Sequence, residues 1–461
     1  PALHTLVVMD AAAAGDGVLS LDEVRERGRG RDAGELESRT HAVGAQDIAT
    51  MVYTSGTTGP PKGCILTHAN VRAAAAGIEE HKFVDGADDL VYLFLPLAHV
   101  FARIIQFVAF EEGTPTAYWG GDRDRIIVEV ATLKPTLVPS IPRLFEKFYT
   151  LIAAHNPKDV VQRATDVGVR VRQLERAGEP VPDDLREEFE TFEASLFANV
   201  RAAFGGRLNY AVCGGAPLGT DILRFFWACG TPILEDYGLT ETMAVISLST
   251  MRDVKLGAVG KPITGMQVRI APDGELLARG PNVFQGYHGD AQATAAVLVD
   301  GWLQTGDLAR VDDDGFLEIT GRKKDIIITA GGKNITPTNL ENDLRQSRWI
   351  SQAVMYGDRR PYPVALVTLD EEQILPWARE QGLPDEIGTL SRDARVRELV
   401  QADLELANGR YGTVEQVKRF AILDRDLTQE TGELTPTLKV KRAVVYDKYA
   451  DLFTELYGEG T

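Results

Sequence analysis

The sequence predicts an α/β protein in which a large layered domain is followed by a smaller α+β unit, and three features carry that expectation. Short apolar, strand-like runs alternate with segments of helical spacing, a Thr/Ser/Gly-rich loop follows the first long apolar run, and composition changes after Gly321. At about 150 residues per domain, 461 residues leave room for roughly three packing units and a sizeable core.

Taken in order, Leu6 to Met9 is the first strand-like run, and the Ala/Gly-rich and charged stretch up to residue 47 reads as the tail of something larger. The large domain is therefore expected to be N-terminally incomplete. Ile48, Met51, Val52 and Tyr53 form an apolar strand leading into the turn Thr54 to Gly63, too rich in Gly and Pro for a helix. Leu90 to Leu97 is a second buried strand, stopped by Pro96. Residues 150–203 carry apolar positions at helical spacing (Val161, Ala164, Val167; Phe189, Phe192, Leu196), broken by Pro180 and Pro182, which predicts a helical hairpin on the outside of the domain. Leu208 to Cys213 and Pro232 to Leu234 are strands around a helix from Asp221 to Ala228. Beyond the polar stretch Arg322-Lys323-Lys324-Asp325 come a strand (Ile326 to Thr329), a helix (Asn339 to Arg348) and two strands (Ala353 to Tyr356, Val364 to Leu369). This divides the chain into domains 1–323 and 324–461.

Charge narrows the partners: 49 Lys+Arg against 67 Asp+Glu give a net charge of -18, which repels phosphate backbones and argues against nucleic acid. Cys64, Cys213 and Cys229 form neither a CxxC pair nor a cluster with the seven histidines, so zinc and a disulfide framework lack support and a reducing, cytoplasmic setting is expected. The most apolar run, Val100 to Phe110, is interrupted by Arg103 and Gln106 and is too short to span a bilayer. Peripheral membrane contact and the oligomeric state stay open.

Chemistry concentrates in a few segments. Thr54, Ser55, Gly56, Thr57, Thr58 and Gly59 follow a strand, where backbone N–H groups and hydroxyls can converge on a phosphate while Lys62 adds a mobile cation. It is not a Walker loop, because Lys62 comes six positions after Gly56 and is followed by Gly63. Tyr237 offers a ring to stack on a purine, and Gly214, Gly215 and Ala216 let backbone approach its edge; the alternative is an ordinary strand-end turn. Glu241, with Thr54, supplies oxygen donors for Mg²⁺. Asp307 can accept hydrogen bonds from ribose hydroxyls, and Arg322 can donate to the same sugar or its phosphate.

The string Tyr53-Thr-Ser-Gly-Thr-Thr-Gly-Pro-Pro-Lys-Gly63 resembles the signature of the adenylate-forming superfamily, which includes acyl-CoA synthetases, luciferases and peptide-synthetase adenylation domains. Further motifs follow in the same order: Leu95-Pro-Leu-Ala-His99, Gly214-Gly-Ala-Pro217, Tyr237-Gly-Leu-Thr-Glu-Thr242, Gly274-Glu-Leu-Leu-Ala-Arg-Gly280, Thr305-Gly-Asp307, Gly321-Arg-Lys-Lys-Asp325 and Thr435-Pro-Thr-Leu-Lys439.

The resemblance implies a large adenylation domain with a mobile C-terminal lid, ATP and Mg²⁺ as cofactors, and attack of a carboxylate on the α-phosphorus of ATP. It places Tyr237, Gly238 and Thr240 on the nucleotide, Lys62 and Lys439 on the developing charge, and His99 at the mouth of the acyl pocket. Lys324 becomes the hinge, and Gly331 and Gly332 border a channel for the pantetheine arm of CoA. Leu438 departs from the more common Thr-Gly-Lys form. Residues 138–145, the hairpin and the Leu-Thr-Pro-Thr-Leu-Lys tail look like long-chain fatty acyl-CoA synthetases of actinobacterial type, so fatty acid is the expected substrate. Two rivals are a fatty acyl-AMP ligase loading a carrier protein and a nucleotide-binding chain without turnover.

Overall fold

A computed structural model describes residues 4–10, 12, 15, 17–54, 61–84, 86–122, 125–435 and 438–458. Its centre is a seven-stranded sheet in the order Lys261–Pro262, Ser247–Leu248, Ile233–Tyr237, Tyr210–Cys213, Leu137–Ser140, Val91–Leu93, Thr116–Tyr118. The last five run parallel, with Cys213 beside Glu235 and Ser140 beside Cys213. Helices cover both faces, as parallel strands buried on two sides require. On one face His68–Glu79 and Val100–Glu112 bury Ile78, Ile104, Ile105 and Val108. On the other, Lys158–Ala177 and Thr220–Ala228 build a second core around Val161, Val167, Phe225 and Phe226.

That second core corrects the expected external hairpin. The helices form, Gly178 ending the first in the left-handed region (φ 69°) and Pro182 preceding the second, Asp183–Phe192. Yet Lys158–Ala177 lies against Thr220–Ala228 so closely that a Cβ on Gly168 would come within 2.6 Å of the Ala228 Cβ. Apolar spacing identified the buried face, but charge on the opposite face disguised how much of the core it supplies.

Other differences are local. The strand expected over Leu90–Leu97 is only Val91–Leu93, because Pro96 turns the chain and its carbonyl accepts the His99 N–H at 3.0 Å. Residues before 48 hold the helices Leu21–Arg29 and Ala33–Ala42 besides two short strands. A hairpin of Ile48–Thr54 and Lys62–Thr67, joined by Gly286–Tyr287, makes a three-stranded sheet. A five-stranded antiparallel sheet includes Glu275–Arg279, Trp302–Val311 and Leu317–Arg322.

After Arg322 the chain builds its own core from Ile350–Tyr356 and Val364–Leu369, antiparallel, with Arg419–Ile422 parallel to the latter. Helices Pro337–Arg345 and Ala394–Asn408 cover one face, burying Leu340, Leu344, Val396 and Val400. Ion pairs tie this unit to the large sheet's helices: Arg143 to Asp370 (3.2 Å), Lys147 to Glu372 (3.0 Å) and Arg410 to Asp221 (2.6 Å). Among the described residues no helix is long and apolar enough to cross a membrane, and all three cysteines are buried and unpaired.

Candidate active site

The Ile48–Thr54/Lys62–Thr67 hairpin sets Thr54 opposite Lys62 across the loop. Ser55, Gly56, Thr57, Thr58 and Gly59 lie outside the described residues. Both ends of the loop are anchored: the Thr54 hydroxyl is hydrogen-bonded with the Cys64 thiol, whose pKa burial pushes up, and the Lys62 ammonium lies 5.1 Å from the centre of the Tyr287 ring. The Tyr287 phenol donates to Glu241 Oε1 at 2.7 Å. Burial, and then the Glu241 charge, push the Tyr287 phenol far above its ordinary range, so it remains a donor.

Glu241 stands in the short turn Thr240–Thr242, and the Phe284 N–H donates to its carbonyl at 2.8 Å. Gly238 permits this turn to fold back: a Cβ there would meet the Ala244 carbonyl oxygen at 2.0 Å. Thr54, Lys62, Glu241 and Tyr287 thus converge from three separate segments. Among the described residues no three His, Cys, Asp or Glu side chains form a metal cluster. One carboxylate with a nearby hydroxyl suits Mg²⁺, which keeps water and phosphate oxygens among its ligands rather than an all-protein cage.

A second constellation centres on Asp307, which is buried. Its Oδ2 accepts from the Tyr237 phenol at 2.7 Å and its Oδ1 from Arg322 Nε at 2.7 Å. Asp307 and Arg322 are direct partners on adjacent antiparallel strands, which fixes the pair by sheet register. A carboxylate offers about four acceptor positions. These two bonds therefore leave capacity for sugar hydroxyls.

Lys439 reaches this cleft from the far end of the chain. Its side chain is exposed to solvent but stands between protein walls, and that enclosure first, then the Arg322 charge, lowers its pKa, while Asp307 acts oppositely. His99 caps the helix Val100–Glu112; burial first, and then Lys439, hold its pKa below the ordinary value. The Lys439 segment is rooted on Glu433, fully buried, which receives Lys448 at 2.9 Å and Arg425. Between them Leu438 adopts φ 60°, a left-handed conformation that glycine takes without strain, which accounts for the glycine more common at this position.

Gly214, Gly215 and Ala216 follow the strand Tyr210–Cys213, and Gly215 is left-handed at φ 82°. Gly214 has a local reason to lack a side chain, since a Cβ would meet Asp236 Oδ1 at 2.4 Å. Lys324 is exposed in the turn Lys323–Asp325, where its neighbour Lys323 makes the ion pairs, to Asp273 (2.6 Å) and Glu275 (2.8 Å). Gly331 and Gly332 occupy the turn between Ile327–Ile328 and Asn334–Ile335, Gly332 at φ 76°. No described contact joins these three to the Lys439 cleft. Conversely, Tyr287 escaped the sequence reading: nothing local marks a tyrosine in Gly286–Tyr287 as part of a site.

Fold and site together define an enzyme that handles a nucleotide in a cleft roofed by a C-terminal unit. The chain belongs to the AMP-binding enzyme family, matching it over residues 4–288 and its C-terminal domain over residues 324–461. It is 42% identical over 457 residues to the long-chain-fatty-acid–CoA ligase FadD15 of Mycobacterium bovis, covering 97% of this chain and 75% of that one. It is 36% identical to the putative fatty-acid–CoA ligase fadD11 of Mycobacterium tuberculosis, covering 96% and 79%. In fold it resembles the adenylation domain of a carboxylate reductase from Mycobacterium chelonae (TM-score 0.69, 23% identity, 96% and 64% covered). It also resembles the o-succinylbenzoate-CoA synthetase of Bacillus subtilis bound to ATP and magnesium (TM-score 0.63, 21% identity, 95% and 78% covered).

Proposed function

We propose that this chain activates a long-chain fatty acid with ATP and transfers the acyl group to CoA, yielding fatty acyl-CoA, AMP and pyrophosphate. The observation that carries the reading is the convergence of Lys439 with Asp307, Arg322 and His99, because it brings a cation from the C-terminal unit to the nucleotide cleft of the large one. In the first step a carboxylate oxygen attacks the α-phosphorus, the α–β phosphoanhydride bond breaks, and pyrophosphate leaves. Lys62 and Lys439 offset the charge that builds on the phosphoryl oxygens. Mg²⁺, held by Glu241 and Thr54, would neutralise phosphate charge when bound. Asp307 and Arg322 hold the ribose, and Tyr237 with Gly214 to Ala216 forms the adenine side.

In the second step the CoA sulfur attacks the acyl carbonyl, the C–S bond forms, the C–O bond to AMP breaks, and the thiol proton leaves to solvent. No protein nucleophile is required. We place the domain boundary at 323/324, with Lys324 as the hinge that withdraws Lys439 and with Gly331 and Gly332 beside the pantetheine arm. The test is pyrophosphate and thioester formation with ATP, Mg²⁺ and a panel of fatty acids, with and without CoA. Acyl-adenylate that accumulates without CoA and becomes acyl-CoA on its addition supports the reading. Adenylate that passes only to a carrier protein replaces it with the ligase alternative.

A further inference from the structure

The turn that carries Glu241 is bent against its own backbone preference. Directly after Thr242, Met243 (φ 49°) and Ala244 (φ 74°) are consecutive non-glycine residues in the left-handed region, where a Cβ crowds the neighbouring carbonyl. Such strain persists only where surrounding contacts over-determine it. Here one side chain closes over the strained pair from both ends. Asn282, 1% exposed, donates from Nδ2 to the Thr242 carbonyl at 2.8 Å and to the Val245 carbonyl at 2.7 Å. A carboxamide nitrogen carries two donors, so a single group serves two carbonyls that this tight bend turns toward the interior.

The segment around Asn282 is gripped in its turn. Asn70 Nδ2 donates to the carbonyls on either side of it, Pro281 at 2.8 Å and Val283 at 2.9 Å. Asn70 stands in the first turn of the helix His68–Glu79, where its Oδ1 accepts the Thr67 N–H at 3.0 Å. Thr67 in turn ends the strand that Lys62 begins. Two nested amides therefore connect the Lys62 strand to the Glu241 turn, across 211 and 40 positions of sequence. The Phe284 N–H completes the link at the Glu241 carbonyl, 2.8 Å away. Tyr287 meets the Glu241 side chain, whereas Asn282 braces the backbone that carries it.

We propose that Asn282 is a positioning residue for magnesium: its two hydrogen bonds hold the strained Met243–Ala244 bend and so set the Glu241 carboxylate in a fixed place relative to Lys62. The inference rests on the reading above, in which Glu241 takes Mg²⁺ and Lys62 meets the phosphates. Its test compares the wild type, Asn282→Ala, Ala244→Gly and the double variant Asn282→Ala/Ala244→Gly. Amide hydrogen exchange of the ligand-free proteins reads the turn. Paramagnetic resonance titration of Mn²⁺ in the presence of ATP reads the metal site, and pyrophosphate release with the fatty-acid panel at varied Mg²⁺ reads turnover.

In Asn282→Ala, exchange should accelerate at Leu239, Ala244 and Phe284 but not in the helix Thr220–Ala228. Mn²⁺ affinity should fall by about tenfold, and half-saturating Mg²⁺ should rise by a similar factor while the rate at saturating Mg²⁺ changes less. Glycine takes the left-handed conformation without strain, so Ala244→Gly alone should leave Mn²⁺ affinity near that of the wild type and, added to Asn282→Ala, should restore most of what was lost. If Asn282→Ala does not fold, Asn282→Ser, which keeps one donor, takes its place. Unchanged Mn²⁺ affinity in the Asn282 variant, faster exchange spread over the whole protein, or a double variant no better than the single one overturns the proposal while leaving fatty-acid activation intact. A wild type that releases no pyrophosphate with any acid of the panel overturns the functional reading, and this inference with it.

Discussion

The Tyr287 phenol donates to Glu241 at 2.7 Å while its ring underlies the Lys62 ammonium at 5.1 Å, so a single side chain contacts both the carboxylate proposed to hold Mg²⁺ and the cation proposed to meet the phosphates. The two functions separate by substitution. Tyr287→Phe keeps the ring and releases Glu241; the half-saturating Mg²⁺ concentration should rise several-fold, in keeping with about 1.5–3 kcal/mol for a hydrogen bond to a charged group. Tyr287→Leu should add a further loss in ATP affinity, read by titration calorimetry with ATP alone. Equal Mg²⁺ dependence in wild type and Tyr287→Phe would show that Glu241 holds its place unaided.

Lys439 should matter for adenylation alone. Lys439→Ala is expected to slow pyrophosphate release by about 10²–10³-fold, the scale of one transition-state charge contact. Conversion of supplied acyl-adenylate to acyl-CoA should change little. Because enclosure and Arg322 lower the Lys439 pKa, its charge is lost as pH rises through that lowered value. Adenylation should therefore fall on the alkaline side earlier than an ordinary lysine would allow. Lys439→Arg, always charged, should move that limb upward even if its maximum rate is lower. Equal damage to both half-reactions would sink the assignment.

The share of this site that was legible in the sequence follows from how each residue is positioned. Asp307 and Arg322, Thr54 and Lys62, and the Gly238 turn are set by short-range chain geometry, and their motifs name them directly. Tyr287 acts through an element distant in sequence, reaching Glu241 across 46 positions. Periodicity locates a buried face but not what a residue meets across the core. For the same reason the Lys158–Ala177 helix was expected outside, although Val161, Val167 and Val171 all face inward.

The ion pairs Arg143–Asp370, Lys147–Glu372 and Arg410–Asp221 tie the C-terminal unit to the large domain, and under the proposed lid movement they should favour the orientation that places Lys439 in the cleft. Each is partly exposed and worth roughly 0.2–1 kcal/mol. Together they bias the lid by an amount salt can erase, since the screening length falls to about 3 Å at 1 M. Adenylation should slow by about two- to fivefold between 0.05 and 1 M salt in the wild type. It should slow less in an Arg143→Ala/Lys147→Ala/Arg410→Ala protein. Identical salt profiles would remove these pairs from the lid equilibrium.

Leu438 holds a left-handed backbone at φ 60° with its side chain 38% exposed. The strain is about 1 kcal/mol, which Leu438→Gly would release at a comparable cost in unfolded-chain entropy. The melting temperature should stay within about 2 °C, whereas Leu438→Val, β-branched in the same conformation, should lower it and slow adenylation. A large drop for the glycine variant alone would mean that Leu438 contributes packing rather than strain.

Glu235 and Asp236 make stability fall as pH rises through neutrality. Burial pushes Glu235 from 4.5 up to about 7 and Asp236 from 3.8 up to about 8, with the Leu218 N–H opposing the first and the Glu235 charge adding to the second. Cys213 and Glu146 lie beside them, and burial keeps the thiol protonated. Between the unfolded and folded values the native state binds more protons than the unfolded chain. Their stabilisation is therefore complete below about pH 4, is lost progressively above it at about 1 kcal/mol per pH unit for each group, and is gone once pH has passed about 7 for Glu235 and about 8 for Asp236. His99, held low, has the opposite slope, but it is common to every variant that keeps it. Urea unfolding of wild type and Glu235→Gln at pH 5.5, 6.5, 7.5 and 8.5 isolates the effect, because glutamine keeps the acceptor for the Leu218 N–H and cannot ionise. The two stability curves should converge at low pH, draw apart between pH 5.5 and about 7 with the variant the more stable, and run parallel above that; curves parallel throughout would mean that Glu235 is ionised in the native protein over the whole range.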